Sequence, residues 1–148
     1  MPRQFVSDQG VADYVCKKTG LVLGREHTQL GIVRNGEVVA GCIFTHYTGT
    51  DIAVTVAASH ARAFTKEFLI LVGQYCYGQL GCARISILTE QPAVVQLAQR
   101  LGAEIEGVKR DAFGAGRNAT LLGLLKRDWK FVRRTRGSDP PCYPEAQT

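Results

Sequence analysis

DIAVTVAASHARAFTKEFLILVGQYCYGQLG, residues 51–81, decides the fold. Residues 52–57 are rich in β-branched side chains and read as a strand. Ser59, His60, Ala61, Arg62, Ala63 and Phe64 make a short turn. From Thr65 onward Phe68, Leu69, Val72, Cys76 and Leu80 recur at helical spacing, which predicts a helix that stops at Gly81. Glycine there suits the left-handed residue that ends many helices. A strand feeding directly into a helix N-terminus presents backbone N–H groups and the positive end of the helix dipole, which together suit a phosphate or another anion.

Toward the C-terminus, residues 82–89 read as a second strand. Strand, helix, strand is a crossover unit, so the two strands are expected to be parallel neighbours or near neighbours. Glu90-Gln91-Pro92 opens a second helix, with proline tolerated in the first turn. Val94, Val95, Leu97, Ala98 and Leu101 form its apolar face, and Gly102 ends it. Residues 104–110 and 119–126 read as strands joined through Gly114-Ala115-Gly116-Arg117-Asn118. Trp129 follows the last of them and is expected to cover a sheet edge.

Toward the N-terminus, residues 7–20 read as a helix capped by Ser7 or Asp8, and residues 21–28 as a connector or a poorly defined strand. Asn35-Gly36 between two β-rich runs is a strong hairpin signal, because both residues tolerate positive φ. With the strand at residues 52–57, this hairpin predicts a three-stranded antiparallel meander. The expected architecture is α/β (α+β): one domain whose central mixed, mostly antiparallel sheet is flanked by helices.

The 148 residues suit one domain with a real core, and 45% hydrophobic with 21% charged residues is ordinary for a globular protein. No apolar run reaches the ~18 residues of a membrane span. The N-terminus lacks the apolar stretch of a signal peptide, so a cytoplasmic protein without a membrane partner is expected. Cys16, Cys42, Cys76, Cys82 and Cys142 lack the CxxC spacing of a zinc site, and their odd number argues against a disulfide framework. Cys42 and Cys76 sit in apolar runs and read as core thiols, and no metal is expected. The net charge is +5, with Lys126, Arg127, Lys130, Arg133, Arg134 and Arg136 crowded after the last strand. This divides the chain into a folded domain over residues 1–131 and a flexible tail over residues 132–148. The tail reads as a solvated cationic segment, with contact to nucleic acid as the alternative.

In this order and spacing, the pieces YCYGQLGCARISILTEQPAVVQLAQRLGAEIEGVKRDAF and ATLLGLLKRDW resemble the GNAT superfamily of acetyl-CoA-dependent N-acetyltransferases. The resemblance is to the branch that acetylates protein N-termini and small amines, and it covers roughly residues 7–130. It implies transfer of an acetyl group from acetyl-CoA to a primary amine by direct attack. The acceptor would be a protein N-terminus, a lysine or a small amine, and the protein a monomer or homodimer. The superfamily's pyrophosphate signature falls on His60, Ala61, Arg62, Ala63, Phe64 and Thr65. Both inner glycines are alanine here, which keeps the backbone N–H groups but loses positive-φ freedom. The resemblance also implies that the strand before the turn is distorted around Ala53 to Val56 and donates an N–H to the acetyl carbonyl there, with Val54 and Val56 among the donor-binding residues. Many members carry a tyrosine acid where Ala98 stands and an asparagine near Gln91.

An amine attacks only as the neutral base, so a proton must leave it. His46, Asp51 and Glu90 are the candidate bases or water-holders: His46 near a strand end, Asp51 at the start of the central strand, Glu90 at the end of the next one. Tyr47 and Tyr75 are candidate acids. Two other readings keep the fold and change its use, either to modification of nucleic acid or to non-catalytic binding of CoA or a partner.

Overall fold

The computed structural model describes residues 4–19, 27–60 and 62–131. The expected tail at 132–148, most of the connector at 21–28, and Ala61 lie outside the described residues. Seven strands form one sheet in the order β1-β2-β3-β4-β5-β7-β6: β1 (Gln4–Val6), β2 (Thr28–Arg34), β3 (Glu37–Thr45), β4 (Ala53–Ala58), β5 (Arg84–Thr89), β6 (Glu104–Lys109) and β7 (Ala119–Leu125). Only β4 and β5 pair in parallel; every other neighbouring pair is antiparallel. The hairpin turn is as the sequence predicts, with Asn35 at φ 55° and Gly36 at φ 80°.

Among the described residues, three α-helices cover the sheet: α1 (Gln9–Thr19), α2 (Lys66–Gly73) and α3 (Pro92–Arg100). α1 packs on one face against Ile43 and Ala57, burying Ala12 and Val15. Gly31 and Gly41 are cross-strand partners and form its seat. A Cβ at Gly31 would stand 2.7 Å from Val11 Cγ2, and one at Gly41 2.8 Å from Val15 Cγ2. α2 and α3 cover the other face, where Cys42, Phe44, Val54, Val56, Ile85 and Ile87 meet Phe68, Val72, Val94 and Ala98 in the main core.

The helix predicted from Thr65 to Gly81 exists, but in two parts. Thr65 is its cap, its hydroxyl accepting from Phe68 N–H at 3.1 Å. After Gly73 the chain widens into a π-helical turn, Gln74–Gln79, before Gly81 closes it at φ +71°. Trp129 does not cover an edge. It is buried between α2 and the sheet, its ring 5.8 Å from that of Tyr77.

Candidate functional site

β4 and β5 share only three register pairs: Ala53 with Ser86, Val54 with Ile87, and Thr55 with Leu88. Beyond Thr55, β4 runs on to Ala58 paired only with β3. The sheet therefore opens at the carboxyl ends of its two parallel strands, where α/β sheets bind ligands. Backbone groups alternate between the two edges of a strand. Ile52 carbonyl accepts from Ser86 N–H across the β5 edge at 2.9 Å, which places the N–H and carbonyl of Val54, Val56 and Ala58 on that same edge. The strand distortion implied around Val54 and Val56 is not seen. The β3–β4 register runs unbroken from Ala53 to Ala58, and the opening comes from β5 ending its pairing.

The Gln91 side chain reaches into the opening. The Gln91 carboxamide donates to Ala58 carbonyl at 3.1 Å and accepts from Ala58 N–H at 2.9 Å. Gln91 is set for this by Thr89, whose hydroxyl accepts from Gln91 N–H at 3.1 Å.

Among the described residues, three cavities border the opening. On the α2/α3 face, one of about 60 Å³ is lined by aliphatic and aromatic side chains, including Val54, Val56, Ile87, Ala98 and Trp129. A second of about 40 Å³ lies at the mouth, between His60, Phe64, Gln91 and Leu97. On the α1 face a larger one, about 240 Å³, is bounded by Lys18, Thr19, Val56, Ala57, Glu90 and Gln91.

Of the three candidate bases, only Glu90 borders this opening. The Arg117 guanidinium forks onto it, Nε donating to Oε2 at 3.1 Å and Nη2 pairing with Oε1. Arg117 Nη2 also donates to Lys18 carbonyl at 3.2 Å, so the β6–β7 loop is pinned to the end of α1. The sequence pattern places Arg117 only as a loop residue, because nothing local links it to a carboxylate 27 positions earlier.

His46 and Asp51 stand at the other end of β4, about 16 Å away at ~3.3 Å per strand residue. His46 is exposed, at φ 55°, with Nδ1 3.0 Å from Thr45 Oγ1. Asp51 accepts from Ser86 Oγ at 2.9 Å and pairs with Arg84 Nε at 3.5 Å, a contact that ties β4 to β5. Tyr47 and Tyr75 also sit at that end. Tyr47 donates to Leu80 carbonyl, and the Tyr75 hydroxyl meets that of Thr28.

At the turn, Ala63 N–H is spent on His60 carbonyl at 3.1 Å, and the Ala63 side chain is buried in the core. Phe64 packs over Phe68, with rings 5.9 Å apart, and separates the mouth from the apolar cavity. His60, Arg62 and Lys66 are exposed around the start of α2.

The residues fit the donor that the family resemblance implies. The Gln91 carboxamide occupies the amide-bonding edge of β4 and shows that this edge accepts an amide. The cations near the α2 N-terminus suit phosphates, while Ala63 N–H is already paired within the turn.

No family model and no curated protein sequence matches the chain. Solved structures do. Mutant forms of the spermidine/spermine N-acetyltransferase SpeG from Vibrio cholerae superpose with a TM-score of 0.64 at 9% identity, over 85% of this chain and 96% of that one. A dodecameric spermidine N-acetyltransferase from Vibrio cholerae gives 0.61 at 9% identity, over 83% and 93%. The N-terminal domain of ribosomal-protein-alanine acetyltransferase from Clostridium acetobutylicum gives 0.55 at 10% identity, over 72% and 96%. The single seven-stranded mixed sheet with its flanking helices is the GNAT fold.

Proposed function

We propose that this chain is an N-acetyltransferase that moves an acetyl group from acetyl-CoA to a primary amine. The observation that carries the reading is the opening between β4 and β5 beyond Thr55 and Leu88, with an amide-bonding edge on one strand and Glu90 at the end of the other.

In this reading the β4 edge at Val56 and Ala58 holds the donor's arm, with Val54 and Ile87 packed beneath. The turn from His60 to Thr65 and the start of α2 hold its phosphates, aided by Arg62 and Lys66. Acetyl-CoA supplies the acetyl thioester. The acceptor enters from the α1 face through the cavity beside Lys18, Ala57 and Glu90. Glu90, held in place by Arg117, anchors the incoming ammonium and takes its proton directly or through water, leaving a neutral amine to attack. The donor thiolate is a tolerable leaving group, so a tyrosine at position 98 is dispensable.

Structural neighbours act on spermidine and on a ribosomal-protein alanine, so both a polyamine and a peptide N-terminus belong in the acceptor panel. The test is incubation with acetyl-CoA and a panel of spermidine, free lysine and alanine-initiated peptides, with mass spectrometry of the products. A product heavier by one acetyl group is expected with one acceptor class. Absence of acetyl-CoA binding by calorimetry would overturn the reading.

A further inference from the structure

Ala58 uses both its backbone polar groups on one side chain. A strand edge that has lost its neighbour must satisfy its N–H and C=O by other means. Gln91 does this with the two ends of one carboxamide, at 2.9 and 3.1 Å. The contact spans 33 positions of sequence, and Thr89 steadies its base through Gln91 N–H. Gln91 precedes Pro92, so it is the N-cap residue of α3, yet its side chain makes no cap bond to that helix. A cap side chain ordinarily serves the first turn of its own helix. This one is turned to the sheet instead, across the mouth between His60, Phe64 and Leu97.

We infer that Gln91 is a specificity-determining latch: it occupies the β4 edge in the free protein, and only a ligand carrying its own amides displaces it without leaving Ala58 unpaired. This rests on the acetyltransferase reading and adds a selection step to it. The pantetheine arm of coenzyme A has two amide groups and can take over both bonds. A nucleotide without that arm cannot, and it gains nothing from opening the latch. A displaced carboxamide returns to water at little cost, whereas a buried strand edge left without partners is penalised. The latch therefore selects among ligands that enter the opening, admitting an arm with amides over one without them, and leaves the nucleotide half untouched.

The test compares the wild-type chain with Gln91→Ala and Gln91→Glu, using acetyl-CoA and 3′,5′-ADP as probes in calorimetry. Gln91→Glu keeps the size, loses the donor to Ala58 carbonyl and sets a carboxylate against it. Removing both competing neutral hydrogen bonds in Gln91→Ala is expected to tighten acetyl-CoA binding about tenfold, losing one of them in Gln91→Glu to tighten it by less, and both variants to leave 3′,5′-ADP unchanged. In free Gln91→Ala, hydrogen exchange at Ala58 N–H is expected to accelerate, and acetyl-CoA is expected to restore its protection. Thermal melts identify a variant that fails to fold, and the second variant then carries the comparison. Acetyl-CoA binding that is equal or weaker in folded variants would overturn the latch while leaving the acetyltransferase reading in place. Absence of acetyl-CoA binding in every chain would overturn that reading itself, and an unchanged Ala58 exchange rate would remove the latch regardless of it.

Discussion

The Trp129 indole lies directly over Gly73, so that a Cβ on this glycine would stand 2.6 Å from Nε1. Gly73 ends α2, and the π-helical turn begins at the next residue. The glycine lets the indole approach the helix backbone, and the indole in turn packs tilted against Tyr77 and edge-on to Phe131. Its other side lines the apolar cavity. Gly73→Ala gains helix propensity of about 1 kcal/mol but forces a rigid, buried ring to move. Overpacking of this kind costs about 1–3 kcal/mol, so a net loss of about 1 kcal/mol is expected. Urea denaturation followed by tryptophan fluorescence measures it. A variant as stable as the wild type would show that the indole has room to shift.

Glu90 and Arg117 give the clearest functional prediction. Glu90→Gln removes the charge and the proton acceptor but keeps the shape. General-base groups contribute about 10²–10⁴-fold, so kcat/KM for the amine is expected to fall by about 100-fold or more, with KM for acetyl-CoA unchanged. Arg117→Ala frees the carboxylate and the β6–β7 loop, and a smaller loss, about tenfold, is expected. Arg117→Lys keeps the charge without the fork and should recover part of it. A steady-state matrix varying each substrate separately measures both effects. An unchanged amine kcat/KM in Glu90→Gln would remove Glu90 from the mechanism.

Much of this arrangement is legible locally, and the rest depends on pairs far apart in sequence. The Asn35-Gly36 turn, the Thr65 cap, Gly81 and the βαβ unit follow from rules that act within a few residues, and the structure has all of them. β1 is not legible, because Gln4–Val6 is too short to show a period and forms only by pairing with β2. The π-helical turn is likewise invisible, since the spacing of Val72, Cys76 and Leu80 fits an ordinary helix. Glu90 could be suspected from its place after a strand, whereas Arg117 could not. Nor does any local signal put His46 and Asp51 at the far end of β4, since a candidate base is picked by residue type before its end of the strand is known. The end of β4–β5 pairing and the Gln91–Ala58 contact are properties of the assembled sheet, so the missing glycines of the turn are legible while the opening itself is not.

The turn makes a separate prediction, because its cations act on the donor and not on the acceptor. Arg62 and Lys66 are exposed, so each phosphate contact is screened by salt. Arg62→Ala and Lys66→Ala are each expected to raise KM for acetyl-CoA by about 2–5-fold at low salt, at ~0.3–1 kcal/mol per exposed charge pair. The difference from wild type should shrink in about 0.5 M salt, with kcat unaffected. Initial rates at two ionic strengths measure it. A salt-independent change, or none, would place the phosphates elsewhere.

The buried thiols set the alkaline limit of stability. Burial pushes Cys42 up to about 12 from an ordinary 9.0. Burial, with Asp51 nearby, pushes Cys82 up to about 11. In the unfolded chain both ionise near their ordinary value, while in the folded chain they stay protonated. Below pH ~8.5 the thiols are neutral in both states, and their contribution is fully present. As pH rises toward the folded values, the unfolded state loses protons first, and stability falls by about 1.4 kcal/mol per pH unit for each thiol. Between about pH 8 and 10.5 the two together are expected to cost roughly 3–4 kcal/mol. Urea midpoints across this range measure the fall, and the Cys42→Ala, Cys82→Ala double variant should reduce it, leaving the part due to Cys76 and Tyr77, which burial also pushes up. The same burial makes native Cys42, Cys76 and Cys82 slow to alkylate near neutral pH, whereas half-buried Cys16 should react first among the described thiols. Iodoacetamide labelling read by peptide mass spectrometry checks this order, and early labelling of Cys42 would show that the core opens on the timescale of the reaction.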